Sequence, residues 1–66
     1  MKNSIQLSDF RFQFVGYGHY TVTYTSPKTG RSWLRTTNDM TLIDATKNTD
    51  EPKKKDLHIL RRFCKQ

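Results

Sequence analysis

The strongest constraint on the fold of this chain is an alternation of side chains near its middle. Tyr20, Val22 and Tyr24 alternate with three threonines, which is the period-2 pattern of a half-buried β-strand built from residue types that favour sheets. Residues 10–14 show the same alternation between phenylalanine and polar residues. The two segments therefore predict neighbouring strands, separated by the glycine-rich break at residues 16–18.

A turn follows the second of these strands and leads into a third. Pro27 presets φ for the second position of the turn, and Gly30 can adopt the left-handed conformation that ends a hairpin loop. Residues 31–37 then resume a strand pattern around Trp33 and Leu34. The sequence therefore predicts a three-stranded antiparallel meander.

The periodicity becomes helical after this third strand. Asn38 or Asp39 can cap a short helix over residues 40–46, and Asp50 can cap a second helix with Pro52 in its first turn. The apolar residues of the second helix fill one arc: Leu57, Ile59, Leu60, Phe63 and Cys64.

A chain of 66 residues has room for one small domain. We predict an α+β fold in which the three-stranded antiparallel β-meander is followed by a short helix. A C-terminal amphipathic helix then packs on one sheet face, and residues 1–8 are predicted to form a flexible N-terminus.

Strand parity assigns side chains to the two faces of the predicted sheet. The face beneath the C-terminal helix would hold Phe10, Phe12, Phe14, Tyr20, Val22, Tyr24 and Leu34. The opposite face would hold Arg11, Gln13, Thr21, Thr23, Thr25, Arg31, Trp33 and Arg35, with three arginines and no carboxylate. A one-residue register error would exchange the faces and bury Trp33 instead.

The distribution of charge favours a polyanionic partner. The formal net charge is +6, and residues 52–66 hold six basic residues against one acidic residue. We predict noncatalytic nucleic-acid binding, with DNA ahead of RNA. The predicted contacts are Arg11, Gln13, Arg31, Trp33, Arg35, Lys54, Lys55, Arg61, Arg62 and Lys65. The alternative interpretation is that the basic helix arc is only a solvated surface.

The strand Tyr20-x-Val22-x-Tyr24, a proline turn ending in Gly30-Arg31, a strand bearing Trp33 and a terminal helix resemble the integrase arm-binding domains. Those domains, and the plant ethylene-response-factor type, lay a three-stranded sheet in the DNA major groove. The resemblance covers roughly residues 10–64 and implies that arginine and tryptophan side chains on the sheet contact phosphates and base edges. Such a sheet fits the major groove on physical grounds as well.

Two other classes of function compete with this interpretation. His19 after Gly18, with the helix start at residues 55–57, is faintly similar to HicA-type toxins, which are small basic ribonucleases. His19 has no acid partner that the sequence identifies, so we predict that the protein is not an enzyme. The main rival is a protein-interaction or accessory module, whose expected mark is a homodimer or an exposed apolar patch of Tyr17 with Trp33.

We predict no cofactor, no metal and no membrane partner. His58 lies on the basic arc and Cys64 on the apolar arc, so with His19 they form no ligand set. Cys64 is the only cysteine, which excludes an internal disulfide and is typical of a reducing cytoplasm. No apolar run reaches the ~20 residues of a membrane span, and the first six residues lack the apolar core of a secretory signal. We therefore expect a cytoplasmic protein.

Overall fold

A computed structural model describes residues 5–66 of the chain. Within those residues the elements are a 3₁₀ turn (Leu7–Asp9), strands β1 (Phe10–Gly16), β2 (His19–Thr25) and β3 (Ser32–Thr37), and helices α1 (Met40–Thr46) and α2 (Lys54–Lys65). The strands form one antiparallel sheet in the order β1-β2-β3, and α2 packs against β2 and β3. The predicted α+β fold, with a meander followed by a short helix and a C-terminal helix on the sheet, is confirmed.

Both hairpin turns depend on residues with positive φ. Tyr17 and Gly18 have φ values of 55° and 74°, and a type I′ turn, whose twist matches that of the flanking strands, requires positive φ at both central positions. Gly30 has a φ of 76°, and its N–H donates to the Ser26 carbonyl at 2.8 Å. The prediction that Gly30 ends the second hairpin loop in a left-handed conformation is confirmed.

The register between β2 and β3 reverses the face that was predicted for β3. Trp33 lies opposite Tyr24 and Arg35 lies opposite Val22, and residues directly opposite each other share a face. Trp33 and Arg35 therefore lie on the side that α2 covers, whereas Leu34 lies on the other side and is 66% exposed. The predicted placement of these three β3 residues was wrong. The indole stacks on Tyr24, and it has more apolar surface to bury than a leucine has.

The core lies between the sheet and the two helices. Its buried residues are Ile5, Phe10, Val22, Tyr24, Ile43, Leu57, Leu60 and Cys64. Besides Leu34, two residues predicted for this core are exposed, since Phe14 is 60% and Ile59 is 50% exposed. Helix α2 is turned so that Leu60 lies at the centre of its buried stripe, which leaves Ile59 at the margin.

The N-terminal segment contributes to this core through Ile5, which is 5% exposed. Residues 1–4, which form the first half of the predicted flexible N-terminus, lie outside the described residues. The 3₁₀ turn that follows is closed by a reciprocal pair of contacts, in which the Gln6 N–H donates to the Asp9 carboxylate at 3.1 Å. This turn fixes Asp9 immediately before β1.

The start of α1 agrees with the sequence and the start of α2 does not. Asp39 caps α1, because its carboxylate accepts from the Leu42 N–H at 3.3 Å. The predicted cap of α2 at Asp50 is wrong, since the helix begins at Lys54 with Lys53 as its N-cap. Proline disfavours helical geometry in the residue before it, so Pro52 keeps the helix from extending back to Asp50. None of the helices within residues 5–66 is long and apolar enough to cross a membrane.

Candidate nucleic-acid interface

A groove of about 340 Å³ lies where the turn between β2 and β3 meets one flank of α2. Among the described residues, four basic side chains line it: Lys28, Arg31, Arg61 and Lys65. Tyr24 and Trp33 supply its aromatic wall. We call this feature, lined by these six residues together with Ile5, Asp9 and the turn, the Trp33 groove. It brings charges from the hairpin and the helix to one place.

Trp33 is held in a fixed orientation by its neighbour on β2. The Tyr24 and Trp33 rings are stacked, with centroids 5.8 Å apart and planes 21° apart, and Tyr24 is itself 5% exposed. Because β3 is an edge strand of the sheet, Trp33 has a sheet neighbour on one side only. The indole therefore packs against Tyr24 and also lines the groove.

Two of the groove cations rest against the indole. The Arg31 guanidinium carbon lies 5.3 Å and the Lys65 Nζ 4.6 Å from the ring centroid. A cation–π contact at an exposed site contributes only about 0.5–1 kcal/mol, and both side chains are exposed. Either cation can therefore leave the ring at a small cost in free energy.

The turn adds polar groups that were not predicted from the sequence. The Ser26 hydroxyl accepts from the Lys28 N–H at 3.3 Å, and the Thr29 hydroxyl accepts from the Arg31 N–H at 3.2 Å. Each hydroxyl is an acceptor in these bonds, so its own hydrogen is available to donate to a ligand. Lys28 lies close before Gly30-Arg31, and that clustering of basic residues at a hairpin turn was the available indication.

Asp9 adds a negative charge to the lining of the groove. Among the described residues that line the groove, it is the one carboxylate. The carboxylate is held in place because it accepts from the Gln6 N–H. The lining of the groove therefore combines cations on the hairpin turn and on α2 with a carboxylate in the 3₁₀ turn.

The structure brings together four of the ten residues predicted to bind nucleic acid, namely Arg31, Trp33, Arg61 and Lys65. Arg61 and Lys65 lie one turn apart on the flank of α2 that faces β3. Trp33 reaches them because its face is the reverse of the predicted one. The parity error thus separated residues that the fold places side by side.

The other six predicted residues lie elsewhere. Arg35 donates to the Gln66 side chain at 2.9 Å and lies 4.9 Å from the Phe63 ring, so it fastens the end of α2 to β3. Arg62 lines a separate depression between α1 and α2, beside Leu42 and Phe63. Four more are exposed and outside the groove: Arg11 and Gln13 on β1, and Lys54 and Lys55 in the first turn of α2.

The uncovered sheet face is not the basic surface that was predicted. Its β2 and β3 residues are mainly hydroxyl side chains, and two pairs of these hydrogen-bond across the strands at 3.0 Å: Thr21 with Thr36 and Thr25 with Ser32. In the sheet as described, Arg11 is the one arginine on this face, because Arg35 faces α2 and Arg31 precedes β3. A three-arginine reading surface is therefore absent from the described sheet.

The side chains of His19 and Cys64 both lie against backbone carbonyl groups. The His19 ring lies 3.0 Å from the Tyr17 carbonyl oxygen through Nδ1. Burial raises the pKa of the Cys64 thiol to about 11, so this thiol is protonated at neutral pH and donates to the Val22 carbonyl at 3.6 Å. Among residues 5–66, no group of three or more His, Cys, Asp or Glu side chains is placed to hold a metal ion.

Comparison with known proteins adds no relative. No protein-family model matches the chain, and neither the curated proteins nor the solved structures yield a significant match. The resemblance to integrase arm-binding domains stays a prediction. Trp33 and Arg35, for which it implied sheet-face contacts, lie on the side of the sheet that α2 packs against.

Proposed function

We propose that the protein is a noncatalytic nucleic-acid-binding domain that holds phosphates in the Trp33 groove. The observation that supports this proposal is the grouping of four basic side chains in one groove: Lys28, Arg31, Arg61 and Lys65. The described residues that line the groove include a single carboxylate. Cations on two different elements can contact successive phosphates of one backbone. The net charge of +6 adds long-range attraction for the same partner.

The proposal covers both DNA and RNA. The prediction of DNA ahead of RNA depended on a basic sheet face that enters the major groove. The uncovered face of the described sheet carries one arginine, Arg11. Phosphate contacts position a protein on a nucleic acid without reading its sequence. Binding through the groove cations is therefore expected for DNA and for RNA.

The salt dependence of binding tests this function. Each phosphate neutralised on a single strand contributes about −0.7 to the slope of log affinity against log salt, so four groove cations predict a slope of about −3. The measurement is fluorescence anisotropy of a labelled oligonucleotide over a series of sodium chloride concentrations. A slope near zero, or no binding at low salt, would exclude the proposed function.

Two adjacent arginines provide a matched comparison for the same assay. Arg61→Ala is expected to make the slope less steep by about 0.7, because Arg61 lines the groove. Arg62→Ala removes the same charge from the next position, which lies outside the groove, and is expected to leave the slope nearly unchanged. Equal changes of slope in the two variants would mean that the overall positive charge of α2, and not the groove, accounts for binding.

His19→Ala tests the ribonuclease alternative. A binding domain needs no titrating group at this position, so we expect unchanged nucleic-acid affinity and no cleavage by either the wild type or the variant. The measurement is incubation of labelled RNA at several pH values from about 5 to 8, followed by gel electrophoresis. Cleavage by the wild type that His19→Ala abolishes would establish an enzyme instead.

One observation favours a protein-interaction module as the second candidate. Phe14, Val15 and Tyr17 are 60%, 47% and 99% exposed near the tip of the first hairpin. The patch predicted from Tyr17 with Trp33 is not formed, because Trp33 pairs with Tyr24 near the other end of β2. An apolar hairpin tip suits a protein partner, and it leaves the Trp33 groove free.

A further inference from the structure

We propose that the Trp33 groove binds single-stranded nucleic acid, with one unpaired base stacked on the Trp33 indole. This inference rests on the proposed function and names the form of nucleic acid that the groove accepts. Arg31 and Lys65, which lie against the ring, move from the indole to the phosphates on either side of that base. The aromatic ring and the cations then act on one nucleotide together.

The position of the indole is the first argument for an unpaired base. Trp33 stacks on Tyr24 and lies on an edge strand, so it forms a supported platform at the border of the sheet. Base–aromatic stacking needs a free π-face on the base, which single strands present and paired duplexes hide within the stack. When Arg31 and Lys65, which lie over the ring, move to phosphates, the exposed indole favours single strands over duplexes.

The size and polarity of the groove are the second argument. A volume of about 340 Å³ lies at the lower end of the range of about 300–1,000 Å³ for small-molecule sites, which suits a nucleotide. A groove for phosphate alone gains nothing from a carboxylate, because like charges repel. Asp9 can instead accept a hydrogen bond from an amino group on a base edge, as carboxylates accept from the cytosine N4 amine.

The test follows the fluorescence of Trp33, which is the one tryptophan of the chain. The full chain is titrated with an oligodeoxycytidylate of about eight nucleotides, the matching oligocytidylate RNA, an abasic strand of equal length, and a duplex. We expect both cytidylate strands to change the Trp33 emission and to bind roughly 5- to 150-fold more tightly than the abasic strand, which is the range that stacking of one base supplies.

Two substitutions separate the contribution of aromatic stacking from that of an apolar side chain of any kind. Trp33→Leu keeps an apolar side chain and removes the π-face, so it should remove most of the preference for cytidylate over the abasic strand. Trp33→Phe keeps a smaller ring and should retain part of that preference. Anisotropy with labelled strands measures both variants, and circular dichroism verifies that each is folded.

The possible results distinguish a failure of base stacking from a failure of the proposed nucleic-acid binding. Equal affinity of the wild type for cytidylate and abasic strands would overturn base stacking and leave phosphate binding in place. Tighter binding of the duplex than of the single strands would also overturn it. If none of the strands binds, the proposed function fails and the inference fails with it.

Discussion

Leu60→Ala is expected to lower the free energy of unfolding by about 2–5 kcal/mol, the usual cost of truncating a buried leucine to alanine. Leu60 is 0% exposed and belongs to the core between α2 and the sheet. A domain of this length has a total stability of only about 3–10 kcal/mol, so the substitution removes a large share of it. Urea denaturation followed by circular dichroism measures the change.

Ile59→Ala is the matched control for this prediction. Ile59 is the neighbouring aliphatic residue on the same helix, but it is 50% exposed, so its truncation removes less buried surface. We expect a loss of about 1 kcal/mol or less. An equal loss at residues 59 and 60 would mean that the orientation of α2 differs from the one described.

The double charge reversal Arg31→Glu with Lys65→Glu is expected to reduce nucleic-acid affinity by about 100-fold or more at ~0.1 M salt. Each substitution removes a phosphate contact and its counterion release, and each adds a carboxylate that repels the backbone. Both side chains lie within the same groove, against the same ring. Anisotropy titrations at fixed salt measure the loss.

The control reverses the same number of charges outside the groove. Lys53→Glu with Lys54→Glu places two carboxylates at the start of α2, where acidic residues are favourable to the helix dipole. We expect a much smaller loss of affinity than in the groove variant. If both double variants lose affinity equally, net charge rather than the groove accounts for binding.

The elements of the fold that depend on local sequence could be predicted. The alternation of Tyr20, Val22 and Tyr24 indicated a strand because each side chain's face follows from its position in the pleat. Gly30 indicated the second hairpin turn because a positive φ costs glycine little. Asp39 indicated the start of α1 because its carboxylate can accept from a free N–H of the first turn.

The groove could not be predicted as a unit, because tertiary packing decides its geometry. Parity along β3 assigns alternate faces, but the inward-facing set depends on its register with β2, where Trp33 and Leu34 compete for the core. Which of the two side chains is buried depends on how each packs against Tyr24 and α2. Lys28, Arg61 and Asp9 belong to segments far apart in sequence, and no spacing rule connects them.

The loop between β2 and β3 has a consequence for how this protein can evolve. Thr25 pairs directly with Ser32, so residues 26–31 determine which β3 side chains face α2. If one residue were inserted or deleted while the loop kept its present length, β3 would shift by one position against β2 and exchange its faces. Trp33 and Arg35 would then join Arg11 on the uncovered face. Two distinct binding surfaces made from the same side chains are therefore separated by a single insertion or deletion event.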